Sequence, residues 1–408
     1  YWVDNNKENA NLLTMYNMPN LVASSLTWER IRTTDIGIDL GFLNNELMVG
    51  FDWYQRENRD MLAPSKVLPQ VLGADAPVSN AGTLRTRGWE FTVDWHHRFG
   101  DFNVYANFNL SDSRTKVTKW DNPSMLLNTN YSGKTYGDIW CFETDRYFEE
   151  SDFTGKNPDG TWNYAAGIAS QKGLEQGSFH YGPGDVKYKD LDGSGVIDGG
   201  KGTANNHGDL KVIGNFLPRY EYSFHLGGTW KGIYLDLFFQ GVGKRDSWTV
   251  SSMNFPLMRD ADLALYAHQT SYNKVNFTAD YKTITGYEIN QNNKYPRLFP
   301  GNDPKGTISG IDNGTNNYYP QTRYLTDMSY LRLKNVTLGY TLPAELTRKA
   351  YIQKARIYFS ASNLFLLHKG NDLPVDPEIS TGAGLAYGGW GRTAPITRTF
   401  SFGMQVTL

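Results

Sequence analysis

The sequence predicts an all-β fold, a transmembrane antiparallel β-barrel. Three observations predict it. Apolar and polar residues alternate with period two through about nine segments. The connections between those segments are short and long in strict turn. The apolar face is dense in Trp, Tyr and Phe, as the aromatic girdles at the two membrane interfaces require.

The expected strands cover about 26–42, 47–63, 83–98, 102–117, 217–231, 233–248, 328–342, 354–367 and 394–408. In the first, Ile36, Ile38, Leu40 and Phe42 alternate with Asp35, Gly37, Asp39 and Gly41. Leu47, Val49, Phe51 and Trp53 follow, against Gly50 and Asp52, and then Trp89, Phe91, Val93 and Trp95 against Glu90, Thr92 and Asp94. Phe102, Val104, Ala106, Phe108 and Leu110 alternate with Asn103, Tyr105, Asn107 and Asn109. Tyr222, Phe224 and Leu226, then Leu235, Leu237 and Phe239, continue the pattern. In 328–342 the parity changes between Leu333 and Val336, which predicts a β-bulge near Lys334-Asn335. The last strand runs Phe400, Phe402, Met404, Val406, Leu408 on its apolar face.

Leu43–Glu46, Phe99–Asp101 and Lys231-Gly232 read as tight hairpin turns, and Pro343–Gln353 as a longer one. The other connections, about 64–82, 118–216, 249–327 and 368–393, are long. Outer-membrane barrels have short periplasmic turns and long extracellular loops, so the last strand should descend to the periplasm. Nine strands is an odd number, whereas bacterial single-chain barrels are even. The expectation is therefore the C-terminal part of a larger barrel, with the remaining strands upstream of Tyr1.

Composition agrees with this. The 408 residues carry a net charge of -2, which excludes a nucleic-acid binder by charge. The mean hydropathy of -0.52 is low because lipid-facing and water-facing residues alternate. No apolar run is long enough for a membrane helix. The single Cys141 excludes an internal disulfide framework.

Several segments together resemble one family. Leu26-Thr27-Trp28-Glu29 precedes Ile36-Gly37-Ile38-Asp39-Leu40-Gly41. Asn80-Ala81-Gly82 stands before Arg87-Gly88-Trp89-Glu90. Pro183-Gly184-Asp185-Val186-Lys187-Tyr188-Lys189-Asp190 leads into Asp192–Asp198. Ile213-Gly214-Asn215 with Pro218-Arg219-Tyr220, the block Tyr330–Tyr340, Ser362-Asn363-Leu364-Phe365 and Asp376-Pro377-Glu378 complete the set. In kind and order they resemble the SusC/RagA family of TonB-dependent outer-membrane transporters. The resemblance implies a 22-stranded barrel in the outer membrane of a Gram-negative cell. It also implies an N-terminal plug and a TonB box, neither of which is in this chain. The implied partners are a SusD-like surface lipoprotein, TonB with ExbB and ExbD, outer-membrane lipid, and a glycan or peptide cargo. The function expected is active import of a nutrient, an oligosaccharide first. The alternatives are a peptide importer or a passive porin or surface-binding barrel.

One compact motif suggests a metal. Asp190-Leu191-Asp192-Gly193-Ser194-Gly195-Val196-Ile197-Asp198 places oxygens at positions 1, 3, 5 and 9, Gly at 6 and a carbonyl at 7, the pattern of a Ca²⁺ loop. Position 12 is Lys201 rather than a carboxylate, and Asp209 could supply the missing one. The expected ligands of a structural Ca²⁺ are thus Asp190, Asp192, Ser194, Val196, Asp198 and Asp209. The other reading is a plain Asp/Gly turn.

No catalytic triad, zinc pattern or phosphate-binding Gly loop is present, and no catalysis is assigned. Among the aromatic residues of the long loops, Trp120, Trp140, Trp162, Tyr318, Tyr387 and Trp390 are the candidates for substrate or partner contact, with packing between loops as the competing role. The inward polar residues Asp52, Asp94, Asn107, Glu221 and Asp236 are expected to meet water or a plug.

Overall fold

A computed structural model describes residues 26–64, 78–176, 179–248, 253–257, 264–280, 283–298, 316–379, 394 and 396–408. The chain opens with β1 (Arg30–Phe42), β2 (Leu47–Pro64), β3 (Val78–Phe99) and β4 (Phe102–Lys119). The connection after β4 carries six short strands: β5 (Asp138–Phe142), β6 (Thr144–Tyr147), β7 (Phe153–Lys156), β8 (Trp162–Tyr164), β9 (Val186–Tyr188) and β10 (Leu210–Asn215). Then come β11 (Arg219–Trp230) and β12 (Ile233–Lys244). Four more short strands follow, β13 (Asp246–Ser247), β14 (Lys274–Phe277), β15 (Ile284–Glu288) and β16 (Thr326–Asp327). The chain ends with β17 (Tyr330–Thr341), β18 (Lys354–Lys369) and β19 (Thr399–Thr407).

The nine long strands form one antiparallel sheet in the order β1-β2-β3-β4-β11-β12-β17-β18-β19. Every neighbour in the sheet is the next long strand in sequence. That is the meander of an up-and-down barrel wall. One face holds Ile36, Trp53, Trp89, Phe108, Phe224, Leu237, Phe359 and Phe402, and the register sets Ile36 beside Trp53, Trp53 beside Trp89, Phe108 beside Phe224 and Phe359 beside Phe402. On the edge strands Ile36 is 66% exposed and Phe402 86%, and within the sheet Leu226 is 41%, Leu338 48% and Ile357 49% exposed. Large apolar side chains bared to this extent along a whole sheet face mark a surface solvated by lipid rather than water. The other face carries hydrogen-bonded polar groups: Asn107 donates to Asp94 (2.6 Å), Asn109 to Ser223 (3.2 Å), and Tyr105 to Asp236.

The turns explain themselves locally. Leu43, Asn44 and Asn45 take φ of 54°, 57° and 66°, and Asn tolerates this left-handed region better than most residues. Lys231-Gly232 closes β11 onto β12 at φ 47° and 89°. The longer turn between β17 and β18 holds a single helical turn, α1 (Ala344–Thr347). At the expected parity change, Leu333 pairs with Phe239 and Asn335 with Phe238, so Lys334 is the bulged residue.

Strand ends depart from the alternation for stated reasons. Residues 26–29 lie outside β1. β3 begins at Val78 because β2 bends at Asp60, with φ of 57°, and pairs onward to Pro64. The strand expected to reach 248 stops at Lys244, and Asp246-Ser247 turn away to pair with Thr326-Asp327.

On the inner face, tyrosines lie across glycines of the adjacent strand: Tyr54 over Gly88, Tyr105 over Gly227, Tyr234 over Gly339 and Tyr358 over Gly403. These pairs join β2 to β3, β4 to β11, β12 to β17 and β18 to β19, the four strand pairs whose connection is long. A tight turn sets hairpin register by its own geometry; a long loop does not. Here a side chain supplies the missing constraint. Two of these rings reach a third strand. Tyr105 crosses β11 to donate to Asp236 of β12, and Tyr234 crosses β17 to accept from Arg356 Nε of β18 at 2.7 Å.

The packed core lies among the long connections, not in the wall. One cluster gathers Phe142, Tyr147, Phe148, Phe179, Tyr181, Tyr188, Ile197 and Leu210; a second gathers Ile139, Cys141, Trp248, Phe255 and Tyr318. Residues far apart in sequence meet there. Phe142 N donates to Pro320 O at 2.9 Å, and Thr144 N to Thr322 Oγ1 at 2.9 Å. The long-loop side is therefore capped by a folded module of its own.

Candidate functional site

The loop module is braced at its centre by a buried ion pair. Asp185 follows Gly184, whose φ of 89° permits the turn that delivers it. The Asp185 carboxylate accepts from Arg297 Nε (2.9 Å), Asn317 Nδ2 (2.8 Å) and the Gly182 amide (2.9 Å). Arg297 also donates to the His180 carbonyl at 2.7 Å. Burial works against the Arg297 charge, and Asp185 more than offsets it, so the guanidinium is held above its ordinary range. Asn317 Oδ1 accepts from Val186 N at 2.8 Å, which carries the brace into β9.

Beside this brace lies a cavity of about 380 Å³, where the 253–298 segment meets the start of β17 and the end of β18. Its lining includes Lys294, Tyr295, Arg323, Asp327, Asn371 and Asp372. Lys294 pairs with Asp372 at 2.6 Å. Arg323 sits 4.2 Å from the Tyr147 ring centroid and donates to the carbonyls of Gln291 and Asn293. The Tyr295 hydroxyl is buried with no hydrogen-bond partner. This arrangement can grip a polar ligand by hydrogen bonds and by charges of both signs. Sequence reading missed it, because its residues come from two separate connections and from stretches of one of them about 70 residues apart.

The aromatic candidates fare differently. Trp120 packs against Gly82 on β3, close enough that a Cβ there would meet its ring. Trp140 rests on the first core cluster, 5.3 Å from the His207 ring. Trp162 packs at a tilt against Phe153, 5.1 Å between ring centroids, with its indole edge against Gly182. Tyr318 is only 2% exposed and stacks on Phe255 at 4.6 Å, so its ring is core and offers no ligand a surface. Tyr387 and Trp390 lie outside the described residues.

Of the six expected metal ligands, the structure gathers three. Carboxylate oxygens of Asp190, Asp192 and Asp209 lie within 4.8 Å of one another. Backbone amides orient them: Gly193 N and Gly195 N donate to Asp190 (2.7 and 2.8 Å), Ser194 N to Asp192 (2.9 Å), and Leu191 N and Asp198 N to Asp209 (2.6 and 2.9 Å). The other three are engaged differently. Ser194 Oγ donates to the Val196 carbonyl at 2.9 Å, and the Asp198 carboxylate accepts from Gly200 N at 2.7 Å. Asp209 is fully buried, and that burial raises its carboxyl above the usual range. Three carboxylates converge on one point, one of them buried, which suits a hard divalent cation that takes its other oxygens from carbonyls or water.

Comparison with known proteins places the fold. A family model described as "TonB dependent receptor-like, beta-barrel" matches residues 8–293. TonB-dependent receptor P3 of Formosa agariphila is 27% identical over 408 aligned positions, covering 94% of this chain and 34% of that protein. TonB-dependent receptor SusC of Bacteroides thetaiotaomicron is 23% identical over 376 positions, covering 89% of this chain and 31% of the relative. Among solved structures, that of the RagAB peptide transporter superposes with a TM-score of 0.60 at 22% identity, over 93% of this chain and 36% of that one. This last likeness is one of fold. The chain spans about a third of the length of these relatives.

Proposed function

The chain belongs to the TonB-dependent receptor β-barrel family, and on that premise we propose that it is barrel wall and surface loops of an outer-membrane nutrient importer. The observation that carries the reading is the nine-stranded meander, apolar on one face and polar on the other, with a folded module over its long-loop side. The lipid-facing wall sits in the outer membrane, and the module faces the cell exterior. Cargo is taken at that module and released inward by TonB using the inner-membrane proton gradient, with a SusD-like lipoprotein as the surface partner. Oligosaccharide is the first cargo class, as the resemblance to the SusC/RagA family implies; the described loop aromatics Trp120, Trp140, Trp162 and Tyr318 are engaged in packing. A peptide is the second reading. The cavity lined by Lys294, Asp372, Arg323 and Asp327 carries both charge signs, which suits a zwitterionic chain.

In the full-length protein, removal of the segment that engages TonB should abolish uptake while surface binding of cargo persists. Radiolabelled oligosaccharide and peptide pools offered to whole cells would report both steps and the cargo class. Uptake that continues unchanged would mean a passive barrel.

We further propose that Asp190, Asp192 and Asp209 hold a structural Ca²⁺. Added Ca²⁺ should raise the unfolding temperature of the loop module, and Asp190→Ala with Asp192→Ala should remove the rise. Because the Asp209 carboxyl is raised in the fold, its ionised form costs stability that is absent at low pH and grows as pH rises through its titration. The Ca²⁺ effect should therefore be full at neutral pH and fade towards the ordinary Asp range, about 4. A parent protein indifferent to Ca²⁺ at pH 7 sinks the proposal.

A further inference from the structure

The outer, lipid-facing side of β1–β4 changes character abruptly near its long-loop end. Ile36, Trp53 and Trp89 lie in one cross-strand row, with Trp at the level where the apolar band ends. One pleat period further, about 7 Å, Gln55 pairs with Arg87, and Arg87 with Arg114. A further period on, Arg32, Glu57, Arg85 and Lys116 stand side by side. All share the parity of the apolar residues, so their Cβ atoms leave the sheet on the lipid side.

Charge in these rows is unbalanced. Glu57 is 6% exposed and clamps two cations, Arg59 at 2.5 Å and Arg85 at 2.7 Å. Arg87 donates to the neutral Gln55 at 2.8 Å. Among the described residues, the other acids near these rows are Asp112, which stands opposite Trp89 and is bound by Arg219, Asp60, bound by Arg30, and Asp138 of the loop module, which shares a cavity with Arg114. Two like-charged pairs, Arg87 with Arg114 and Arg85 with Lys116, stand directly opposite each other, a placement that costs stability unless an anion lies between.

We propose that this patch binds the phosphate-bearing headgroup of an outer-leaflet lipid. The occupant is a lipid because the patch continues upward from the Trp row on the wall that faces the bilayer, where cargo moving through the lumen does not pass. The headgroup is anionic because the excess charge is cationic, and forked guanidiniums fixed by Glu57 and Gln55 match phosphate oxygens in pairs. The inference goes beyond nutrient import and needs only that this face meets the outer leaflet. Failure of the transport reading and failure of this one are separable, since its readout is lipid binding.

The test uses the full-length protein in an uncharged detergent, titrated with diphosphorylated lipid A, with dephosphorylated lipid A and with inorganic phosphate, and followed by thermal unfolding. The diphosphorylated lipid alone should stabilise the parent, and more weakly as salt rises. Each basic residue near an anionic surface is worth roughly a factor of five in affinity. Arg85→Gln with Arg87→Gln and Arg114→Gln should thus bind roughly 100-fold more weakly, while the three Arg→Lys changes, which keep the charge and lose the fork, should bind with an affinity between the two. Should the triple variant fail to fold, the single Gln variants are each read for the roughly fivefold loss. Equal affinity in parent and Gln variants, equal binding of the dephosphorylated lipid, or the same stabilisation by inorganic phosphate would overturn the proposal.

Discussion

Asp185→Ala is expected to destabilise the loop module by about 3–5 kcal/mol. Asp185 is wholly buried and accepts from Arg297, Asn317 and the Gly182 amide. Truncation removes the anion and leaves the Arg297 guanidinium among aromatic side chains with only the His180 carbonyl to receive it. An unpaired buried charge is costlier than the intact pair is favourable, which is why one-sided removal has the larger effect. Replacing both partners, Asp185→Leu with Arg297→Met, should cost less than Asp185→Ala alone. The barrel wall shares none of these contacts. Hydrogen exchange should therefore speed up in β6, β9 and the 290–297 segment, while amides of β11, β12 and β17 keep their protection. Exchange that accelerates equally in wall and module would show that the brace is not local.

The reach of the sequence follows from the range of the interactions. Period-two alternation depends only on residues two apart, so the nine long strands and the Lys334 bulge are visible in the sequence. Strand ends are less so: Asp60 and Tyr220 take φ of 57° and 54°, and no residue type compels those bends. The loop module is largely hidden. Its strands are two to six residues long, and the partners of β5, β6 and β13 are distant in sequence. Asp185 stands within a recognised motif, yet nothing in its spacing shows that Arg297, 112 residues on, will meet it. Tyr318 reads as an exposed loop aromatic until Phe255 and Trp248 close over it. Asp209 is the contrary case. It joins Asp190 and Asp192 from beyond the motif because β10 begins there and the Asp198 and Leu191 amides hold its carboxylate.

The second large effect is expected at the tyrosine-glycine joints of the wall. A Cβ on Gly339 would fall inside the Tyr234 ring, far closer than the roughly 3.5–4.0 Å that two carbons prefer. Backing away is obstructed, because the ring is stacked under the Arg356 guanidinium at 3.8 Å and its hydroxyl is bonded to the same residue. Gly339→Val should cost about 1–3 kcal/mol through overpacking, read as a drop in the fraction of folded, SDS-resistant barrel. Gly88→Val, Gly227→Val and Gly403→Val should behave alike. Gly286→Val, at a glycine with open space around it, should be tolerated. The decisive comparison is a double-mutant cycle. Tyr234→Ala vacates the space above Gly339, so Gly339→Val should cost markedly less in that background, with a coupling of about 0.5–3 kcal/mol. Equal cost in both backgrounds would mean that Gly339 serves the strand alone. A coupling found at all four pairs would instead locate the register of the wall in its side chains, at the strand pairs where the connecting loops are too long to impose it.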